Sequence, residues 1–126
     1  MARILLVDDD EMNRDMLSRR LIRKGYEVII AVDGAEAVRM SQSQAPDLVL
    51  MDSNLPVLSG QEATRKIRET PSERHLPIIS LTAHAMAGEH ERAIQAGCDD
   101  YVAKPVDFPL LADKIEKLLR QAGAAS

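Results

Sequence analysis

Three carboxylates, Asp8, Asp9 and Asp10, follow directly on the apolar run Ile4–Val7 near the start of the chain. Like charges set this close repel, and gathering them becomes useful only around a cation. Magnesium suits such a group: it is a hard ion that takes oxygen ligands, keeps several waters and commonly shares its shell with phosphate. Three more polar residues stand at the ends of later apolar runs: Asp52 closes LVLMD, Thr82 closes IISLT, and Lys104 follows YVA. Thr82 and Lys104 are donors, so they fit an anion held beside a metal better than the metal's own shell. Metal, hydroxyl and ammonium together describe a phosphoryl site, where positive charge offsets charge on the transferring oxygens. No serine or cysteine stands at a strand end with a histidine base in view, and strand alternation turns Ser53 to the side opposite Asp52. A carboxylate can itself be the nucleophile and form an aspartyl phosphate. Asp52 is the best placed, on the run between the acidic cluster and Thr82.

Each feature has a plainer reading when taken alone. An acidic cluster after a strand is more often a solvated helix start, a strand-ending threonine commonly reflects β-propensity, and a Lys-Pro pair is usually surface. His75, His84 and His90 lack metal-ligand spacing, and only His84, two residues past Thr82, could border the pocket. Cys98 reads as a small apolar packing residue and the six methionines as core filler. Coincidence favours the chemical reading: four features fall at four strand ends that one fold would bring together.

They meet only if the runs that carry them are neighbouring parallel strands. Short apolar runs at Ile4–Val7, Val28–Val32, Leu48–Met51, Ile78–Leu81 and Tyr101–Ala103 alternate with helical patterns. Each run is nearly continuous, as expected of strands covered on both faces. Asp33 with Glu36 and Ser59 with Glu62 have capping-box spacing, Gly25 and Gly97 sit where helices should stop, and Asp107 before Pro109 opens the last helix. Phe108, Leu111, Ile115 and Leu118 form that helix's apolar stripe, and Leu17 with Leu21 plays the same part in the first. The segment ETPSERHLP is the most loop-like, and the tail AGAAS is expected to fray. Strict alternation predicts an α/β fold, a doubly wound parallel sheet of five strands with helices on both faces. Two strand orders are common for such sheets; five strands suit the flavodoxin-like 2-1-3-4-5, and in either order ligands bind beyond the carboxyl ends of the strands.

The 126 residues suffice for one domain with a real core. A net charge of −4 argues against a general nucleic-acid binder. The single cysteine excludes an internal disulfide and fits a reducing compartment. No apolar run reaches membrane length, and the N-terminus turns acidic after four apolar residues instead of forming a signal peptide. A cytoplasmic location is expected, without a DNA-binding domain in a chain ending at residue 126.

In order and spacing, LLVDDDE, LVLMDSNLPVLSG, ISLTAHA and GCDDYVAKPVD make the chain similar to the receiver domain of two-component response regulators, over about residues 3–120. Thr82 lies 30 residues past Asp52 and Lys104 lies 52 past it, as in that family. The resemblance implies a single receiver domain over residues 1–126, with strand order 2-1-3-4-5. It implies a signalling switch instead of a turnover enzyme. Asp52 would take a phosphoryl group from a phosphohistidine of a histidine kinase or histidine phosphotransfer protein, and the domain would speed its own phosphorylation and dephosphorylation. Mg2+, or Mn2+ in its place, would be held by Asp9, Asp52 and the backbone carbonyl of Asn54, and by Asp8 through water. Asp10 matches no fixed family position and would only begin the first helix. Thr82 would bond a phosphoryl oxygen, Lys104 would pair with it, and Ala83 would leave room for a small backbone shift. Tyr101 would be the switch aromatic whose ring turns inward, and a cis bond is expected before Pro105. Asn54 and His84 occupy variable positions bordering the phosphoryl group. A downstream protein would read the fourth helix, fifth strand and fifth helix; neither nucleic-acid contact nor membrane insertion is expected. The stretch from Thr82 to Pro105 is most like receivers of hybrid sensor kinases and single-domain regulators. Two rivals differ in class. A phosphohydrolase with the same aspartyl-phosphate chemistry would need a second carboxylate two residues past the nucleophile, where this chain has Asn54. A receiver-like binding module that no longer takes phosphate would have no use for Asp9, Asp52, Thr82 and Lys104 together.

Overall fold

The computed structural model describes residues 2–70, 75–82 and 88–124. Strand and helix alternate as β1 (Arg3–Val7), α1 (Glu11–Arg23), β2 (Glu27–Ala31), α2 (Gly34–Ser43), β3 (Leu48–Asp52), α3 (Gly60–Glu69), β4 (Ile78–Thr82), α4 (Glu89–Ala96), β5 (Asp100–Ala103) and α5 (Phe108–Ala124). All strand pairs are parallel, in the order β2-β1-β3-β4-β5. The winding reverses between β1 and β3, so the crevice of this doubly wound sheet opens between those two strands, at their carboxyl ends.

The two-residue period of the strands sorts the core into two layers. Ile4 and Leu6 of β1, Leu48 and Leu50 of β3, and Ile79 and Leu81 of β4 pack with Leu17 and Leu21 of α1 and Leu111 and Ile115 of α5. Their odd-and-even alternates Leu5, Val7, Val49, Met51 and Ile78 pack on the other face with Ala37, Ala63, Ile67 and Ala93, which come from α2, α3 and α4. Each of the large side chains that is fully buried here contributes roughly 1.5–3 kcal/mol. The near-continuous apolar runs of β1, β3 and β4 thus have a cause: both faces are covered.

Caps fix where the helices begin. Asp10 accepts from the Met12 N–H (3.1 Å), Asp33 from the Glu36 N–H (2.8 Å) and Ser59 from the Glu62 N–H (3.2 Å), each worth about 1 kcal/mol. Asp107 accepts from the Leu110 N–H (3.3 Å) as α5 opens. Gly97 ends α4 at φ 114°, a left-handed conformation that glycine adopts without steric cost.

Two expectations are corrected. β2 is not covered on both faces: it is the sheet's edge, Val28, Ile29 and Ile30 are only half-buried, and Val32 falls outside the strand, 38% exposed. The tail does not fray from residue 122, because α5 continues to Ala124; residues 125 and 126 lie outside the described residues, as do residues 71–74 of the loop-like segment.

Candidate functional site

Sheet register brings the polar strand ends level. Val7 pairs with Met51, Asp52 with Leu81, and Thr82 with Ala103. Residues that close or follow β1, β3, β4 and β5 therefore emerge at one edge of the sheet. Asp8 shares the parity of Ile4 and Leu6, and Asp52 that of Leu48 and Leu50, so both carboxylates continue the rows that face α1 and α5. Thr82 shares the parity of Ile78 and continues the opposite row.

Asp52 is 2% exposed, and its Oδ1 accepts from Lys104 Nζ at 2.9 Å and from the Asn54 N–H at 3.1 Å. Lys104 keeps about a third of its side chain in solvent. Asp8 is 1% exposed; its Oδ1 accepts from the Asp10 N–H at 2.9 Å. Asp8, Asp9 and Asp52 each offer an oxygen within 4.8 Å of the others, with Asp9 on the solvent side. Among the described residues, Asp8 Oδ2 and Thr82 Oγ1 are buried without a hydrogen-bond partner. An orphaned carboxylate oxygen is costly. Asp52 can answer it only by sharing a proton, since both groups are acceptors when ionised. Burial accordingly pushes the Asp8 carboxyl up from its ordinary 3.8 to about 6; the Asp10 N–H and Lys104 oppose the shift, and the charge of Asp52 adds to it. A divalent cation relieves the same strain without a proton. The donor set is all oxygen, carries several negative charges and opens to water beside Asp9, which fits Mg2+.

Of the other residues singled out from the sequence, Asp10 is the α1 cap. Asn54 is exposed and gives its N–H to Asp52. Pro105 follows a cis bond. Tyr101 stacks on His90, with ring centroids 4.0 Å apart and planes 18° from parallel, and Lys114 Nζ stands 5.7 Å from its centroid. Ala83 and His84 lie outside the described residues. No bond joins Thr82 to Asp52; among the described residues its hydroxyl is buried without a partner. His75 Nε2 lies 2.6 Å from Asp99 Oδ1, at the opposite end of the sheet.

Two contributors were not read from the sequence. Gly60 begins α3 so close to β3 that a Cβ there would sit 2.2 Å from the Asp52 carbonyl oxygen and 2.8 Å from Ser53 Cα. Its place directly after the cap Ser59 was the available signal. Arg14 sends Nη1 to the Asp8 carbonyl at 3.1 Å; nothing in the helical pattern of α1 distinguishes it. Beside Asp8 and Lys104 lies an apolar cleft of about 210 Å3, lined by Met16, Leu17, Leu81, Val106 and Phe108. A larger cleft of about 780 Å3 lies at the far end of the sheet, among Gln42, Thr70 and His75, away from the carboxylate cluster.

The response regulator receiver domain model matches residues 4–116. The polar-differentiation response regulator DivK of Brucella anthropi is 37% identical over 119 residues, covering 94% of this chain and 97% of that protein. A crystal structure of the receiver domain of a Pseudomonas aeruginosa sensor histidine kinase, with a magnesium ion coordinated in its active-site cleft, matches with a TM-score of 0.87 and 42% identity, over 94% of this chain and 97% of that one. A chain from the co-crystal of the Saccharomyces cerevisiae histidine phosphotransfer protein Ypd1 with the receiver domain of its downstream response regulator Ssk1 matches with a TM-score of 0.87 and 32% identity, over 96% of this chain and 91% of that one.

Proposed function

The chain belongs to the response regulator receiver domain family, and we propose that Asp52 is its phosphoacceptor in a two-component phosphorelay. One observation carries the reading: Lys104 Nζ lies 2.9 Å from a buried Asp52 oxygen that shares its neighbourhood with the carboxylates of Asp8 and Asp9. A free carboxylate oxygen of Asp52 attacks the phosphorus of a phosphohistidine on a histidine kinase or phosphotransfer protein. The new O–P bond forms as the N–P bond breaks, and the imidazole nitrogen keeps the electron pair. Asp9, Asp52 and the Asn54 carbonyl would hold Mg2+, or Mn2+ in its place, with Asp8 acting through a bound water. The ion, when bound, offsets charge on the transferring oxygens. Lys104 passes from Asp52 to a phosphoryl oxygen, and the Thr82 hydroxyl donates to another. Asn54 leaves the position of a second carboxylate empty of an acid or base, which speaks against a phosphohydrolase.

The phosphorylated state prefers the arrangement in which Thr82 and Lys104 have closed on the phosphoryl group. Pro105 borders that group. Closure is read through Tyr101 on the surface of α4, β5 and α5 by a downstream protein. The setting is cytoplasmic, and no described helix is long and apolar enough to cross a membrane. Incubation with Mg2+ and a small acyl phosphate tests the assignment. Intact mass should rise by one phosphoryl group in the wild type and stay unchanged in Asp52→Ala; an equal rise in the variant overturns it.

A further inference from the structure

We propose that Arg14 is a positioning residue for the metal-binding carboxylates, an inference that rests on the reading of the Asp8, Asp9 and Asp52 cluster as a Mg2+ site. Asp8 is held at three atoms, once by β2 and twice by the start of α1. Its N–H donates to the Ala31 carbonyl of β2 at 3.2 Å. Its Oδ1 accepts from the N–H of Asp10, the α1 cap, at 2.9 Å. Its carbonyl accepts from Arg14 Nη1 at 3.1 Å. Only Oδ2 is left, buried and without a partner among the described residues. Fixing three atoms of one residue leaves the fourth, a carboxylate oxygen of the cluster's Asp8, little freedom.

The reach follows from helix geometry. The Arg14 N–H bonds the Asp10 carbonyl at 3.0 Å, so Arg14 sits one turn past the cap. Side chains on a helix run back toward its N-terminus, which carries this guanidinium over the first turn to the Asp8 carbonyl. That carbonyl belongs to the same planar unit as the Asp9 N–H. Holding the oxygen therefore also sets the direction in which the chain continues to Asp9. One bond orients two of the three carboxylates. Guanidinium suits the task because its donors are directional, unlike those of a freely rotating ammonium.

Charge alone would argue for the opposite effect. A cation beside a divalent-ion site repels the ion, so deleting Arg14 as a bystander would tighten Mg2+ binding or leave it unchanged. A positioning role predicts weakening. The two accounts differ in sign, and titration of the full chain with Mg2+ alone, by calorimetry, separates them. Arg14→Met should raise the Mg2+ dissociation constant about tenfold, the scale seen when a group that orients a ligand is lost. Its metal-free melting temperature should stay within a few degrees of wild type. Arg14→Lys, which keeps a donor and the charge, should recover part of the affinity. Binding by Arg14→Met as tight as wild type, or tighter, overturns the inference. Should Arg14→Met fail to fold, Arg14→Lys decides by the same sign: weaker binding supports the role and unchanged binding overturns it. A wild-type protein that takes up no Mg2+ sinks the metal site itself, a different result from a wild type that binds and a variant that is unaffected.

Discussion

At the amino ends of the strands, Asp99 accepts from the Ile78 N–H at 2.8 Å, from Arg68 Nη2 at 2.9 Å and from His75 Nε2 at 2.6 Å. Arg68 spends its other donors on the carbonyls of Gly97 (2.9 Å) and Leu76 (2.6 Å). At the carboxyl ends, three carboxylates crowd together, one oxygen of Asp8 and the Thr82 hydroxyl lack partners among the described residues, and Lys104 and the Asn54 N–H fall on the same oxygen of Asp52. Both ends are rich in charge. One is saturated and ties α3, β4 and the entrance to β5 together. The other is held short of satisfaction by a scaffold that does not let it relax. Polar groups left unsatisfied in an otherwise consistent fold mark the place where a ligand completes them.

The contrast can be broken at either end. Asp99→Ala should destabilise the protein most, by about 3 kcal/mol, because it strands a buried-end N–H and an arginine at once; urea unfolding should show a lower midpoint at unchanged slope. Gly60→Ala should cost about 2 kcal/mol, since the added methyl meets the Asp52 backbone and one of them must shift. The same variant should label more slowly with acyl phosphate, which would separate displacement of the site from simple loss of stability elsewhere.

The pH dependence of the unsatisfied end runs opposite to that of a paired carboxylate. The folded Asp8 carboxyl sits at about 6, above its ordinary 3.8, so the folded state holds this proton more tightly than the unfolded chain. Its contribution to stability is full below about pH 4 and is lost as pH rises through 6, a change of about 3 kcal/mol in metal-free buffer. Unfolding curves across that range should show the loss in wild type and not in Asp8→Asn. Asp33→Ala, on the carboxyl edge but outside the carboxylate cluster, should cost about 1 kcal/mol at every pH through its lost cap.

Much of this was legible beforehand where the determinants are local. Asp33 and Ser59 declare helix starts three residues ahead of Glu36 and Glu62, and the runs containing Leu6, Leu50 and Leu81 declare buried strands by composition. The placement of Asp52 and Lys104 was legible because parallel strands put their carboxyl ends on one edge. What escaped depends on pairings across the chain. The partnership of Arg68 with Asp99 spans 31 residues and that of His75 with Asp99 spans 24, with no periodicity to announce them. The exposure of β2 follows from strand order, which alternation does not encode. Gly60 and Arg14 act through the backbone of Asp52 and Asp8, and side-chain patterns are silent about backbone contacts.

The most direct measurement is urea unfolding of wild type and Asp8→Asn at pH 8, each without metal and with millimolar Mg2+. Without metal the variant should be the more stable of the two, since it removes a charge that burial disfavours. With Mg2+ the wild type should gain stability through binding to the folded state, while the variant gains little. A variant less stable than wild type in metal-free buffer, together with a wild-type midpoint that Mg2+ does not move, would contradict the view that this end of the sheet is built around a divalent ion.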